Sequence, residues 1–138
     1  MGTFTLTFER FAEETKAKFH IIGLGIILEV GERLVDRSPW DTGFFRANWR
    51  FSLDTPDRTV IDPGGTSENP APKPGLPDFS GQIAGRVAYW TNAVPYGPVL
   101  EEGHSKKAPL GFVRITVMEY LAIVDDVVGR SIGVGGSE

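Results

Sequence analysis

Arg37-Ser38-Pro39-Trp40-Asp41-Thr42-Gly43-Phe44-Phe45-Arg46-Ala47-Asn48-Trp49 is the stretch on which the fold turns, because a helical pattern ends at its first residues and an alternating pattern begins at its last. Pro39 disfavours helical backbone angles at Ser38 and so closes the preceding helix. Asp41-Thr42-Gly43 then supplies side chains that can bond their own backbone and a residue free to take positive φ. Asp41 or Thr42 is expected to cap this turn, and Arg46 to seek a carboxylate, Glu101 or Glu102. These four residues read as architectural.

Toward the N-terminus, Phe8, Phe11, Ala12, Phe19, Ile22, Ile26 and Val30 recur at threes and fours, with charged residues mostly between them. The spacing predicts a long amphipathic helix from Thr7 to Arg37, with Thr7 as N-cap and Glu9 in the first turn. Ile21, Leu24, Ile27 and Leu28 add a further apolar face, so its second half is expected to be buried on several sides. Gly23 and Gly25 each cost about 1 kcal/mol there relative to Ala, which fits close packing of another backbone against them.

Toward the C-terminus, Ala47, Trp49, Phe51 and Leu53 alternate with polar residues, the period of a half-buried strand. A second strand is expected from Gln82 to Thr91, paired antiparallel with the first, directly or across a short strand near Thr59 to Ile61. Between them, residues 54–80 hold Pro56, Pro63, Pro70, Pro72, Pro74 and Pro77 with Gly64, Gly65 and Gly75. Such a segment exceeds the roughly 12 to 15 residues usual for a structureless loop and reads as an extended arm, ordered against a partner rather than within its own subunit. Pro95, Gly97 and Pro98 then break the strand, and Phe112 to Val128 reads as a second helix ended by Gly129, with 129–138 a flexible tail. The whole reading is α+β in one domain, 1–138: an N-terminal and a C-terminal helix packed on a small antiparallel sheet.

The chain has 138 residues, 41% of them hydrophobic, so its core is modest and partner subunits are expected to complete it. With no cysteine, neither a disulfide frame nor a thiolate zinc site is available. The net charge of −4 argues against gripping nucleic acid through its phosphates, although a conduit for DNA needs no grip. The longest nearly apolar run, Ile21 to Leu28, falls short of the roughly 20 residues of a membrane span, and no leader pattern precedes it. A soluble product made in the cytoplasm is expected, with no cofactor.

Several chemical motifs are weighed on their surroundings. Asp41-Thr42-Gly43 matches the triplet of aspartic proteases, in which two carboxylates share a proton. Pro39 and Trp40 before it, Phe44 and Phe45 after it, and the lack of a Gly-rich flap hairpin speak against that chemistry, which stays as an alternative. Gly129-Arg130-Ser131-Ile132-Gly133 satisfies a nucleophile-elbow pattern, but a helix precedes it and no acid and His follow. Glu101 and His104 have metal-ligand spacing only if helical, and Gly103 interrupts them. His20 has no nucleophile tied to it. No phosphate-binding Lys loop or dinucleotide fingerprint is present, and the two helices are too far apart for helix-turn-helix readout.

Ser38-Pro39-Trp40-Asp41-Thr42-Gly43-Phe44-Phe45-Arg46-Ala47-Asn48-Trp49 after an N-terminal helix resembles the signature of the HK97 gp10-like family of tailed-bacteriophage proteins. A second block, Asn92-Ala93-Val94-Pro95-Tyr96-Gly97-Pro98-Val99-Leu100-Glu101-Glu102-Gly103, is similar to that family's Asn-x-x-x-Tyr-Ala-x-x-x-Glu-x-Gly, with Gly97 in place of the usual Ala. Ala108-Pro109-Leu110-Gly111-Phe112 follows where the family enters its last helix. The resemblance spans about residues 8–127 and implies a neck, tail-completion or minor tail protein of the virion. Such a protein would form a ring, six copies preferred, joining head to tail. Its neighbours would be a neck connector and a tail terminator or tail tube, with DNA passing through the lumen unread; a tail terminator ring is the alternative. On this reading Asp41, Thr42, Gly43, Phe44, Arg46, Trp49, Asn92, Tyr96, Glu101, Gly103 and Pro109 are structural-motif and subunit-contact residues.

Overall fold

A computed structural model gives the fold and describes residues 2–75, 83, 85–104 and 111–136. Its architecture is α+β. The described elements are α1 (Gly2–Arg37), a 3-10 turn (Arg46–Asn48), β1 (Arg50–Leu53), β2 (Ala88–Thr91), the short α2 (Gly97–Val99) running into a wide turn (Leu100–His104), α3 (Val113–Met118) and α4 (Tyr120–Gly136).

α1 ends as the Ser-Pro pair requires. The Ser38 amide donates to the carbonyls of Leu34 and Val35, and its hydroxyl donates to Leu34 O at 2.6 Å. That same hydroxyl accepts the indole N–H of Trp49 at 2.7 Å. Ser38 is buried, so one side chain both finishes the helix and satisfies the polar atom of a core tryptophan.

The strand pattern starts later than its alternation suggests. Ala47 and Asn48 belong to the 3-10 turn, closed by Ala47 N to Gly43 O at 3.1 Å and Asn48 N to Phe45 O at 3.0 Å. β1 then pairs directly and antiparallel with β2, Phe51 opposite Trp90 and Ser52 opposite Tyr89. Among the described residues the sheet has these two strands, and 59–61 is not a third. In its place the Asn48 amide acts as a strand edge: Ile61 N donates to Asn48 Oδ1 at 2.8 Å and Asn48 Nδ2 donates to Ile61 O at 2.9 Å.

α1 lies against Trp90, Ile83 and α4. The Trp90 indole donates to Ile27 O at 3.1 Å. A Cβ on Gly31 would fall 2.1 Å from that ring, so the ring occupies the space a side chain would need. At Gly23 and Gly25 the close neighbours are the side chains of Ile83 and Val127, not another backbone. The core joins Leu34, Val35, Phe45, Trp49, Val94 and Phe112. Its aromatic rings meet edge to face, Phe45 and Phe112 at 5.4 Å and Trp49 and Phe112 at 6.4 Å between centroids.

The C-terminal helix departs from its expected shape in two ways. It breaks at Glu119, where φ is −89° and ψ 0°, into α3 and α4. It also runs through Gly129 to Gly136. At the break the Glu119 carboxylate pairs with Arg33 and Arg37 of α1, the latter at 2.5 Å, and the Arg37 bond above all draws the acid below its ordinary range. Thr116 adds to the break by returning its hydroxyl to Phe112 O at 2.8 Å. Gly129 is open on its outer side and tolerates the helix, since packing of Ile123 and Val127 outweighs its cost of about 1 kcal/mol. Among the described residues no helix is long and apolar enough to cross a membrane.

Candidate functional site

The two signature blocks, some fifty residues apart in sequence, close on one ring, that of Phe45. Phe45 is buried and follows the Thr42-Gly43 turn. Thr42, not Asp41, makes the local cap: Phe44 N donates to Thr42 Oγ1 at 3.3 Å. Gly43 has φ +85°, and a Cβ there would lie 2.7 Å from both the nitrogen and the oxygen of Ala71. Glycine is needed for its conformation and again for the approach of another backbone.

That approach ties the Pro-rich segment to the corner. Ala71 is 2% exposed, its N–H donates to Thr42 O at 2.7 Å, and its carbonyl accepts from Arg46 Nη2 at 3.1 Å. Arg46 therefore does not reach Glu101 or Glu102, as its charge suggests it should. Its guanidinium sits 5.0 Å above the centre of the Trp40 ring, a cation–π contact, while its Nε is buried without a protein partner. With Asn48 holding Ile61 and Lys73 paired with Asp36 at 2.5 Å, residues 57–75 lack regular structure yet are fastened to their own subunit. These bonds join the described part of the segment to its own subunit; residues 76–80 lie outside the described residues.

The second block faces the first. Asn92 donates from Nδ2 to Phe45 O at 2.8 Å and accepts from Val94 N at 3.2 Å. The Tyr96 ring lies 6.1 Å from that of Phe45 with its outer side exposed, and partial desolvation raises its phenol above the usual range. Gly97 is buried against the Phe45 ring, where a Cβ would meet Cε2 at 3.2 Å, so the lack of a side chain there gives Phe45 its room.

Glu101 caps α3 from outside the helix. Its Oε2 accepts from Phe112 N at 3.1 Å and Val113 N at 2.7 Å, and its Oε1 from Arg114 N at 2.9 Å. Burial pushes its acid up, but the three amide bonds outweigh it and hold the acid below its ordinary value. Gly103 at φ +89° turns the chain, and a Cβ on Gly111, at φ +86°, would strike Glu101 Oε1 at 2.6 Å. Pro109 lies outside the described residues.

So Thr42, Gly43, Phe44, Arg46, Trp49, Asn92, Tyr96 and Glu101 come together around Phe45 and the start of α3. Asp41 remains exposed at the rim. Among the described residues no group of three metal-ligating side chains forms. Sequence reasoning found Ser38 as the helix stop but missed its bond to Trp49, and it missed Asn48 and Ala71, which looked like an ordinary strand and loop residue. No family model matches the chain, and neither a curated protein nor a solved structure matches it.

Proposed function

We propose that this chain is a structural virion protein at the head-to-tail junction of a tailed phage. There it forms a ring, six copies preferred, between a neck connector and the tail terminator or tail tube, with DNA passing through unread. The reading rests on the resemblance of the two blocks, and one observation supports it most. The conspicuous residues are spent on structure: Asn92 on Phe45, Tyr96 and Gly97 against its ring, and Glu101 on the amides at the start of α3. Residues employed this way build a shape for assembly rather than a reaction site.

On this reading α1 is the long outer helix, and the Pro-rich segment is an arm that the subunit presents, already fastened at Ile61 and Ala71, to an adjacent ring. Prolines favour such docking because they leave less chain entropy to lose. Particles made without the protein should accumulate as full heads and separate tails. Reconstruction of complete virions should place its density in a ring at the neck. Normal joining in its absence, or density elsewhere, would refute the proposal.

A further inference from the structure

Residues 57–75 cross the corner with little to hold them. Ala71 is the one buried apolar side chain among them, while Val60 and Ile61 are 40% and 47% exposed. Two points join the segment to the corner: Ile61, whose amide and carbonyl meet the Asn48 side chain, and Ala71, bonded to Thr42 O and to Arg46. The Lys73–Asp36 pair is exposed and adds little. Other bonds of the segment are internal and travel with it: Thr59 N to Asp57, Gly64 N to Asp62, and Thr66 with Asn69. A Cβ on Gly65 would lie 2.5 Å from both Ala71 N and Thr42 O, so the segment doubles back on itself where it meets the corner.

Closure over the corner carries a cost. Arg46 Nε and Arg50 Nε and Nη2 are buried and, among the described residues, have no hydrogen-bond partner. In Arg86 the two nitrogens left so in Arg50 both bond the Asp54 carboxylate, at 3.1 and 2.6 Å. Both guanidinium groups neighbour the segment. Arg46 donates to Ala71 O, and Arg50 joins Thr59, the larger influence, in holding the Asp57 acid below its ordinary range. Buried donors without acceptors oppose the state that buries them.

We propose that 57–75 is a strap that lifts off the corner as one unit while the helices and the β1–β2 pair stay folded, and that lifting it uncovers Arg50. Its two anchors fall on one short stretch, 42–48, and the bonds within the strap tie them together, so losing one loosens the other. Four hydrogen bonds and one buried methyl hold it closed by roughly a thousandfold, less than the unfolding of a domain requires. The device belongs to the single subunit, whatever ring that subunit joins.

Native-state hydrogen exchange of the purified full chain, followed by NMR at low urea concentrations, tests this. The Ile61 and Ala71 amides should share one opening constant that hardly changes with urea, because little surface is exposed, while amides of the β1–β2 ladder show the full urea dependence of unfolding. Asn48→Ala touches the Ile61 anchor alone, yet should hasten exchange at Ala71 by the same factor as at Ile61, tenfold or more. Should that variant fold poorly, Ala71→Gly repeats the test from the other anchor, with Ile61 as the readout. Phenylglyoxal labelling read by peptide mass spectrometry follows Arg50, which should react faster in the anchor variant by that same factor. Two different opening constants, exchange that needs global unfolding, or an Arg50 labelled equally in wild type and variant would each overturn the proposal.

Discussion

Around Phe45 the polar groups that meet are matched within the chain save Arg46 Nε, whereas at the two ends of the α1–α4 pair large apolar side chains face solvent with charges beside them. The corner is rich in recognisable residues that are mostly bonded to one another, with Trp40, Tyr96 and Val99 exposed at its rim. The helix ends are plain in sequence and expose more apolar surface. Residues that stand out in sequence here are those that build the subunit's interior turns, and much of its exposed apolar surface lies in stretches with no motif at all.

The comparison breaks most visibly at Gly43. A valine there must hold φ near +85° and place its Cβ 2.7 Å from the Ala71 backbone. Both penalties fall on backbone that cannot move aside, so Gly43→Val should cost about 3 kcal/mol or more, read from urea unfolding. If the corner is only a fold element, the variant's loss is of stability and not of a particular contact. Gly43→Ala should lie between the two, since it keeps the strain with less bulk.

Asn48 comes next. It is 0% exposed and holds Phe44 O and both polar atoms of Ile61. Asn48→Ala leaves these groups poorly matched, at a cost of about 2–3 kcal/mol. Hydrogen exchange gives the sharper measure, because the Ile61 amide should lose its protection well before amides of β1 do. Equal loss across β1 would mean that the Pro-rich segment is not pinned at this point.

Why part of this was legible and part was not follows from the range of the forces. The end of α1 at Ser38, the positive φ of Gly43 and the antiparallel pairing around Phe51 and Trp90 are local or periodic, and they could be read from neighbours in sequence. The break at Glu119 coincides with its pairing to Arg33 and Arg37, over eighty residues away, and no pattern within α3 announces it. By charge alone Arg46 belongs on Glu101 or Glu102. In the fold three amides at the start of α3 claim Glu101, and Arg46 meets a carbonyl and a ring. The Asn48 side chain doing the work of a strand is the least legible, since it sits in the polar half of an alternating pattern like any surface residue.

Glu101→Gln should cost about 1 kcal/mol, the usual worth of a helix cap, because an amide offers one accepting oxygen where the carboxylate offers two. Its pH dependence tests the cap more closely. The folded acid lies below its ordinary value of 4.5, so its contribution is complete above that value and is lost as pH falls through the folded one. Asp54, Asp57 and Glu119 are lowered in the same sense, so the quantity to follow is the difference between wild type and variant. That difference should shrink as the solution is acidified; a constant gap would mean that Glu101 is not the capping charge.

The smallest effect is expected at Asp41, and it separates two kinds of protein. Asp41 is exposed, and the turn beside it is held by the Thr42 hydroxyl and by Gly43. Among the described residues the structure gives its carboxylate no hydrogen-bond or ion-pair partner. Asp41→Asn keeps the size and the polarity of the side chain, so stability should change by no more than about 0.5 kcal/mol. Assembly should be unchanged as well, since the Thr42 hydroxyl and Gly43, not Asp41, hold the turn. An aspartic protease would answer differently: its triplet works by sharing a proton between two carboxylates, and an amide in place of one abolishes cleavage. Full joining of heads and tails by Asp41→Asn would place the residue in the scaffold. Loss of joining with the fold intact, or of a measurable peptide cleavage, would make the corner a site after all and undo the contrast with the helix ends.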